Sequence, residues 1–189
     1  MTNKLILITA PSGAGKTTIT RFLLARFPEQ LAFSVSAATR SARENEQDGV
    51  DYHFISADSF RELIAKDAFL EWEMVYEGKY YGTLRSEIRK IWDKDMAPLL
   101  DIDVKGAMHV KQQFPESSLS IFIQPPSIEE LSRRLRQRGT ESEESIRARI
   151  DKSTFELSFR DNFDRVIINN ELEKACREAA EMVEDFLKQ

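Results

Sequence analysis

Cysteine is almost absent from this chain of 189 residues, which has a single cysteine and only 2 histidines. One thiol excludes a disulfide framework, and this composition also excludes a zinc site of the usual cysteine and histidine type. Cys176 falls in a stretch where Leu172, Ala179 and Val183 recur on neighbouring helical turns. The pattern predicts a buried structural thiol in a reducing compartment.

Long hydrophobic runs and an excess of basic residues are also missing. No apolar run approaches the roughly 20 residues that a membrane-spanning helix needs, and the N-terminus enters a strand-like run almost at once. We therefore expect neither a signal peptide nor a membrane anchor, and a cytoplasmic location. The net charge of -5 argues against a general electrostatic grip on nucleic acid or on an anionic membrane, so we expect neither as a partner.

The stretch Ala10-Pro11-Ser12-Gly13-Ala14-Gly15-Lys16-Thr17 stands between an apolar run at residues 5–8 and a helical pattern that begins near Thr18. It matches the phosphate-binding loop G-x-x-x-x-G-K-[ST] except at Ala10, where alanine is tolerable if its φ is negative. Backbone N–H groups of such a loop cradle phosphates, Lys16 reaches the β- and γ-phosphates, and the Thr17 hydroxyl faces Mg²⁺. The alternative is an ordinary strand-to-helix turn.

Apolar strand-like runs alternate with helical patterns through most of the chain. This alternation predicts one α/β domain over residues 1–189, with a mainly parallel, doubly wound sheet whose ligands bind at the carboxyl ends of its strands. A strand is expected at residues 31–37 and a polar loop at 39–50. A β-like run at residues 52–55, a helix at 59–66 and a hairpin at 69–80 are expected to form a compact inserted unit. Ser127 is expected to cap a later helix, with Glu130 three residues on.

Arg40 and Arg43 lie three residues apart in the polar loop, with Tyr52 following. Guanidinium groups bind phosphate in bidentate fashion, so this segment is a candidate site for a monophosphate. A solvated, charged loop is the alternative.

Glu71 in the hairpin and Asp103 after a buried strand are candidates for base recognition. Guanine presents N–H donors at N1 and N2 that a carboxylate accepts, whereas adenine presents a lone pair at N1 that a carboxylate repels. These two carboxylates could therefore select guanine. Taken singly, Glu71 is more typical of a surface residue, and Tyr80 and Tyr81 of ordinary hairpin aromatics. Their joint occurrence in one inserted unit favours base recognition instead.

Residues 136–149 form a candidate flap, in which Gly139 breaks a helix and Ser142 could cap the next one. Three arginines are spaced to converge over the phosphate-binding loop: Arg134, Arg138 and Arg149. An exposed pair of helices joined by salt bridges would look similar.

The order of these motifs closely resembles the guanylate kinase family from about residue 5 to the final helix. The matching stretches are Ser-Gly-Ala-Gly-Lys-Thr, Phe-Ser-Val-Ser, Thr-Arg-Ser-Ala-Arg, Gly-Val-Asp-Tyr-His-Phe, Phe-Leu-Glu-Trp, Tyr-Tyr-Gly-Thr, Leu-Asp-Ile-Asp and Arg-Gly-Thr-Glu-Ser-Glu-Glu. The resemblance implies a P-loop kinase fold with a core (about residues 1–35, 97–135 and 160–189), a GMP-binding region (about 36–85) and a mobile helical lid (about 136–150).

The resemblance also implies roles for individual residues. The positions that read guanine correspond to Ser36, Glu71, Thr83 and Asp103. Those that hold the GMP phosphate correspond to Arg40, Arg43, Tyr52 and Tyr81. The ATP-binding positions correspond to Ser12, Gly13, Ala14, Gly15, Lys16, Thr17, Thr18, Arg134 and Asn169, the last of them near the adenine. Lys16, Arg40, Arg138 and Arg149 are the expected catalytic cations, and Mg²⁺, held mainly by the ATP phosphates, is the expected cofactor beside Thr17.

By this resemblance the expected reaction transfers the γ-phosphoryl group of ATP to GMP, and also to dGMP. Two alternatives stay open at this point: a P-loop kinase for another phosphorylated acceptor, such as a sugar phosphate, and a non-catalytic binding module of the same fold. Three positions depart from the family pattern: Ala10 replaces a glycine, Ala42 a proline and Leu84 a serine. The sequence is silent on the oligomeric state.

Overall fold

The computed structural model describes residues 3–137 and 143–189. Within these ranges the strands are β1 (Leu5–Thr9), β2 (Leu31–Phe33), β3 (Ala37–Ala38), β4 (His53–Phe54), β5 (Phe69–Tyr76), β6 (Lys79–Leu84), β7 (Ala97–Asp101), β8 (Ser118–Gln124) and β9 (Arg165–Ile168). The α-helices are α1 (Lys16–Arg26), α2 (Ala57–Ala65), α3 (Arg85–Trp92), α4 (Val104–Gln113), α5 (Ile128–Gln137), α6 (Glu143–Leu157) and α7 (Leu172–Lys188).

The main sheet has five parallel strands in the order β2-β7-β1-β8-β9, as the alternation of strands and helices predicts. Its central strand β1 is fully buried because helices cover both faces of a parallel sheet. Ile6 and Ile8 point to the face that packs with α1 and α7, while Leu5 and Leu7 point to the opposite face with α4. This core fixes the carboxyl ends of β1 and β7 beside each other.

A second sheet, in the order β4-β3-β6-β5, forms the inserted unit. Here β5 and β6 make the expected hairpin, and α2 packs against it through Phe60, whose ring stacks on Phe69 at 4.4 Å between centroids. Both rings are buried, so the unit has a small hydrophobic core of its own. The polar segment at residues 39–50 forms neither a strand nor a helix, in agreement with the predicted loop.

The single strand predicted for residues 31–37 is wrong, because two short strands share this stretch. Residues 31–33 pair with β7 of the main sheet, whereas Ala37 and Ala38 pair with β4 and β6 of the inserted unit. The chain crosses from one sheet to the other at Ser34, Val35 and Ser36. Strand propensity measures extended backbone but does not say which neighbour the backbone pairs with.

Helix starts agree with the predicted caps where the structure describes them. Ser127 Oγ accepts a hydrogen bond from Glu130 N at 3.1 Å, which confirms the predicted cap. Cys176 is buried in α7, which confirms the predicted buried thiol. Asp103 caps α4 by accepting a hydrogen bond from Gly106 N at 2.9 Å. The predicted break at Gly139 and cap at Ser142 lie outside the described residues.

Among the described helices, none is both long enough and apolar enough to cross a membrane.

Candidate active site

Residues 10–17 form a tight loop between β1 and α1. Gly13 and Gly15 have φ of 94° and 102°, a left-handed conformation that favours glycine, and Ala14 N donates to Pro11 O at 3.0 Å. Ala10 keeps a negative φ, since the described non-glycine residues with positive φ are Asp67 and Asp95, so alanine is tolerated there as expected. The loop leads directly into α1, whose N-terminus favours anions.

A cavity of about 250 Å³ opens over this loop. Loop residues 10–13 and 15–18 form one wall, and α6 contributes Arg149, Lys152, Ser153 and Glu156 to another. The inserted unit contributes Tyr52 and Arg43. A phosphate bound at the helix N-terminus would therefore meet cations from two other parts of the molecule.

Lys16 forms an ion pair with Asp101 at the end of β7. Burial would lower the pKa of Lys16, but the charge and hydrogen bond of Asp101 outweigh it and raise the pKa above its usual value. Lys16 therefore stays charged. Asp101 was not predicted as a site residue from the sequence, although it stands two residues before Asp103 at the end of the same buried strand.

Arg149 reaches the loop from α6, where its Nη1 donates to Ser12 Oγ at 2.6 Å. A cation near the middle of this helix thus lies against the phosphate-binding loop. Arg138, the other expected flap arginine, lies outside the described residues.

Asn169 and Arg134 contact the loop region but do not line this cavity. The buried Asn169 side chain donates from Nδ2 to Ala14 O at 2.7 Å, and Arg134 Nη2 donates to Asn169 O at 3.1 Å. A Cβ at Gly15 would overlap Asn169 Nδ2. Asn169 therefore braces the loop, a contact that the sequence pattern does not reveal.

A second cavity, of about 120 Å³, adjoins the first one. It brings together five residues that the sequence analysis singled out: Ser36, Tyr52, Glu71, Tyr81 and Asp103. Lys16 lines both cavities, so it marks their junction. Two ligands bound in these cavities would approach each other at Lys16.

Glu71 is a buried carboxyl, with 7% of the residue exposed, in the wall of the second cavity. Thr83 lies behind it, fully buried, and its hydroxyl donates to Glu71 Oε1 at 2.5 Å. Burial raises the pKa of Glu71 to about 7, helped by the charge of Asp103 and opposed by the Thr83 hydrogen bond. A buried carboxylate with no cation beside it among the described residues is a strong acceptor for N–H donors of a ligand.

Gly106 makes room for this carboxyl. A Cβ at position 106 would overlap Glu71 Oε2, and Gly106 N also donates to Asp103 Oδ1. Gly106 was not predicted from the sequence, because a glycine inside a helix indicates close packing without identifying the neighbour.

Arg40 lies one layer back from the second cavity. Its guanidinium carbon stands 5.0 Å from the centroid of the Tyr52 ring, its Nε donates to the Tyr81 hydroxyl at 3.1 Å, and Glu46 binds its two Nη atoms. Arg43 is largely exposed and lines the first cavity. Glu46 was not identified from the sequence, in which it is one of several acidic residues of a polar loop.

Comparison with known proteins agrees with this geometry. The family model described as guanylate kinase matches residues 2–186. The chain is 47% identical over 184 residues to a guanylate kinase of Bacteroides fragilis, covering 97% of this chain and 90% of that protein. It is 48% identical over 183 residues to one of Salinibacter ruber, covering 97% and 96%.

A solved structure gives the same answer. The crystal structure of guanylate kinase from Anaplasma phagocytophilum superposes with a TM-score of 0.78 at 28% sequence identity, covering 98% of this chain and 87% of that one. The likeness extends across both the central sheet and the inserted unit, and it confirms the predicted P-loop kinase fold. The resemblance seen in the sequence motifs is therefore confirmed, and the chain belongs to the guanylate kinase family.

Proposed function

We propose that this protein transfers the γ-phosphoryl group of ATP to GMP, and to dGMP, giving ADP and the corresponding diphosphate. The observation that carries the proposal is the buried Glu71 carboxyl in a cavity that meets the phosphate-binding loop at Lys16. Asp103 lines the same cavity. Two carboxyls there suit the N1 and N2 donors of guanine and repel the N1 lone pair of adenine.

ATP occupies the larger cavity in this proposal, with its phosphates on the N–H groups of loop residues 12–18 and its charge met by Lys16. Asn169 and Arg134 support ATP binding by holding this loop in place, since Asn169 donates to Ala14 O and Arg134 donates to Asn169 O. Ser36 and Thr83 support guanine binding, Ser36 from the cavity wall and Thr83 through Glu71.

Mg²⁺ is the expected cofactor, and the donor set fits it. Among residues 3–137 and 143–189, no cluster of three or more metal-ligating side chains could form a protein cage. Mg²⁺ needs no such cage, because it commonly takes one or two protein oxygens and completes its shell with substrate phosphates and water. Thr17, exposed at the start of α1 and lining the cavity, supplies such an oxygen. When bound, the ion would neutralise charge on the β- and γ-phosphates.

The acceptor phosphate is held by Arg43, Tyr52 and Tyr81, with the charge of Arg40 behind the two tyrosines. No general base is required, because a nucleoside monophosphate has a second pKa of about 6 and is largely dianionic at neutral pH. The barrier lies in bringing two polyanions together and in stabilising the transferring group. Lys16 supplies positive charge at the junction of the two cavities and Arg149 supplies it in the first cavity. Arg138 is assigned the same task.

Closure completes the site in this proposal. The core, the GMP-binding region and the lid approach one another when both nucleotides are bound, which excludes water that would otherwise hydrolyse ATP. Arg149 already bridges α6 and the phosphate-binding loop through Ser12.

The test is product analysis after incubation with ATP and Mg²⁺ in the presence of GMP, dGMP or no acceptor. Equal amounts of ADP and GDP (or dGDP) are expected, and little ADP without an acceptor. Lys16→Met is the matched control, because it removes the ammonium and keeps an unbranched side chain. A protein that binds GMP and ATP without forming GDP would be a binding module, and the proposed function would be wrong.

A further inference from the structure

Glu46 binds the Arg40 guanidinium through both of its carboxylate oxygens. The Glu46 carboxylate accepts hydrogen bonds from Arg40 Nη1 at 2.5 Å and from Arg40 Nη2 at 2.6 Å, the parallel arrangement that fixes a guanidinium in one plane. The Glu46 side chain is 16% exposed and that of Arg40 is 11% exposed. An ion pair so well shielded from water is held far more firmly than a surface pair.

Glu46 also organises the loop that carries both arginines. Its Oε2 accepts a hydrogen bond from the backbone N of Arg43 at 2.8 Å, and its own backbone N donates to Arg43 O at 3.0 Å. One carboxylate therefore ties together the side chain of Arg40 and the backbone of Arg43. These contacts lower the pKa of Glu46, the hydrogen bond from Arg40 being the largest cause, so Glu46 stays ionised at neutral pH.

Arg40 also contacts Tyr81, through the guanidinium nitrogen that Glu46 does not bind. Arg40 Nε donates to the Tyr81 hydroxyl oxygen at 3.1 Å. A phenol has a single hydrogen, and an oxygen that accepts from Arg40 turns that hydrogen away from the guanidinium. Since Tyr81 lines the second cavity, the hydrogen is available to an acceptor there, and the nearby positive charge makes it a stronger donor.

We propose that Glu46 is a positioning residue for the acceptor phosphate: it locks Arg40 so that Tyr81 presents its hydroxyl hydrogen to the phosphate of GMP. This inference rests on the proposed function, and it adds a residue without contact to the substrate. It also gives Arg40 an indirect route to the phosphate, through Tyr81, in addition to its charge.

A competing role for Glu46 makes the opposite prediction. A carboxylate on an arginine fork resembles a bound phosphate, so Glu46 could instead occupy Arg40 until GMP displaces it. Loss of a competing anion would tighten GMP binding, whereas loss of a positioning residue weakens it. The sign of the change in KM for GMP therefore separates the two roles.

The experiment compares Glu46→Gln with Glu44→Gln, which removes the same charge from an exposed position of the same loop. KM for GMP is expected to rise about tenfold in Glu46→Gln, the usual effect of losing a hydrogen bond to a charged group. KM for ATP should stay at the wild-type value in both variants, and Glu44→Gln should match the wild type throughout. Glu46→Asp, which keeps the charge, should recover part of the loss.

A second comparison tests the route through Tyr81. In a Tyr81→Phe background, Glu46→Gln should raise KM for GMP much less than it does in the wild type, because the hydroxyl it positions is gone. Equal effects in the two backgrounds would overturn the route, and an unchanged or lower KM in Glu46→Gln would overturn the positioning role. Calorimetric binding of GMP to each variant gives the same answer if turnover is too slow to measure. A wild-type protein without GMP turnover would instead refute the proposed function.

Discussion

At the scale of single residues, the protonation of Glu71 links pH to acceptor binding. Its pKa is raised by burial to about 7, while guanine N–H groups need an ionised carboxylate as their acceptor. Below pH 7 the free protein holds a proton on Glu71 that GMP must displace. We predict that affinity for GMP falls about tenfold for each pH unit below 7, since one proton is released on binding.

Calorimetry between about pH 6 and about pH 8 checks this prediction, with Glu71→Gln as the control. The phosphate of GMP itself titrates at about pH 6, so the difference between the two proteins isolates the Glu71 carboxyl. Wild-type and variant affinities that change in parallel with pH would show that Glu71 does not titrate on binding.

The same pKa shift has the opposite consequence for stability. The unfolded Glu71 carboxyl ionises near its ordinary pKa of 4.5, whereas the folded one keeps its proton until about pH 7. The nucleotide-free protein therefore loses stability as pH rises through that window. A residue that recognises a ligand in this way is unfavourable in the empty fold.

The chemistry of isolated residues predicted part of this site. Glu71 and Asp103 followed from the donors of guanine, and the structure brings them to one cavity with Tyr52 and Tyr81. Asp101 and Glu46 were missed because their roles depend on which cation lies opposite, and that partner is set by the tertiary fold. No local pattern marks one acidic loop residue among several as the partner of Arg40.

At the scale of elements, the brace between the loop after β9 and the phosphate-binding loop is open to test. Asn169→Asp keeps the size of the side chain but replaces the donor to Ala14 O with a carboxylate oxygen. We predict a fall of about 1–3 kcal/mol in the free energy of unfolding, because two acceptors then face each other in a buried place.

KM for ATP should rise in the same variant, since the loop carries the ATP phosphates. Denaturant unfolding and steady-state kinetics measure the two effects. Asn170→Asp, at the next position, is the matched control and should change neither quantity. A stable Asn169→Asp protein with normal KM for ATP would remove Asn169 from the brace.

Helix α6 supplies the second test at this scale. Arg149 contacts Ser12 across the cavity, so Arg149→Met removes a cation that is proposed to act on the transferring phosphoryl group. We predict a fall of about 100-fold or more in kcat, with smaller changes in KM, because the charge matters most in the transition state.

Arg147→Met changes the same charge at an exposed position of the same helix and should keep wild-type kcat. Single-turnover measurements with both variants separate the chemical step from product release. Equal kcat values for the two variants would show that Arg149 serves only to join α6 to the loop.

At the scale of the whole molecule, the alternation of apolar strands with helices was enough to predict a parallel sheet with its ligands at one edge. The division of residues 31–38 between two sheets was not predictable, because strand propensity does not say which distant strand an extended segment pairs with. The segment that leaves the main sheet there carries Ser36 to the second cavity. Pairing between distant strands thus decides where the two nucleotides meet.

The most direct test of acceptor recognition by Glu71 is the ratio of kcat/KM for GMP to that for AMP, measured with ATP and Mg²⁺ at about pH 8, where Glu71 is ionised. A site built to accept hydrogen bonds from one base rejects another strongly, so the wild-type ratio is expected to be about a thousandfold or more. In Glu71→Gln, kcat/KM for GMP should fall by about 1–3 kcal/mol of transition-state stabilisation, and the ratio should shrink with it. Glu77→Gln, at an exposed position of the same hairpin, should leave both unchanged. A wild-type ratio near one, or a ratio that Glu71→Gln does not alter, would contradict the assignment of Glu71 as the residue that reads guanine.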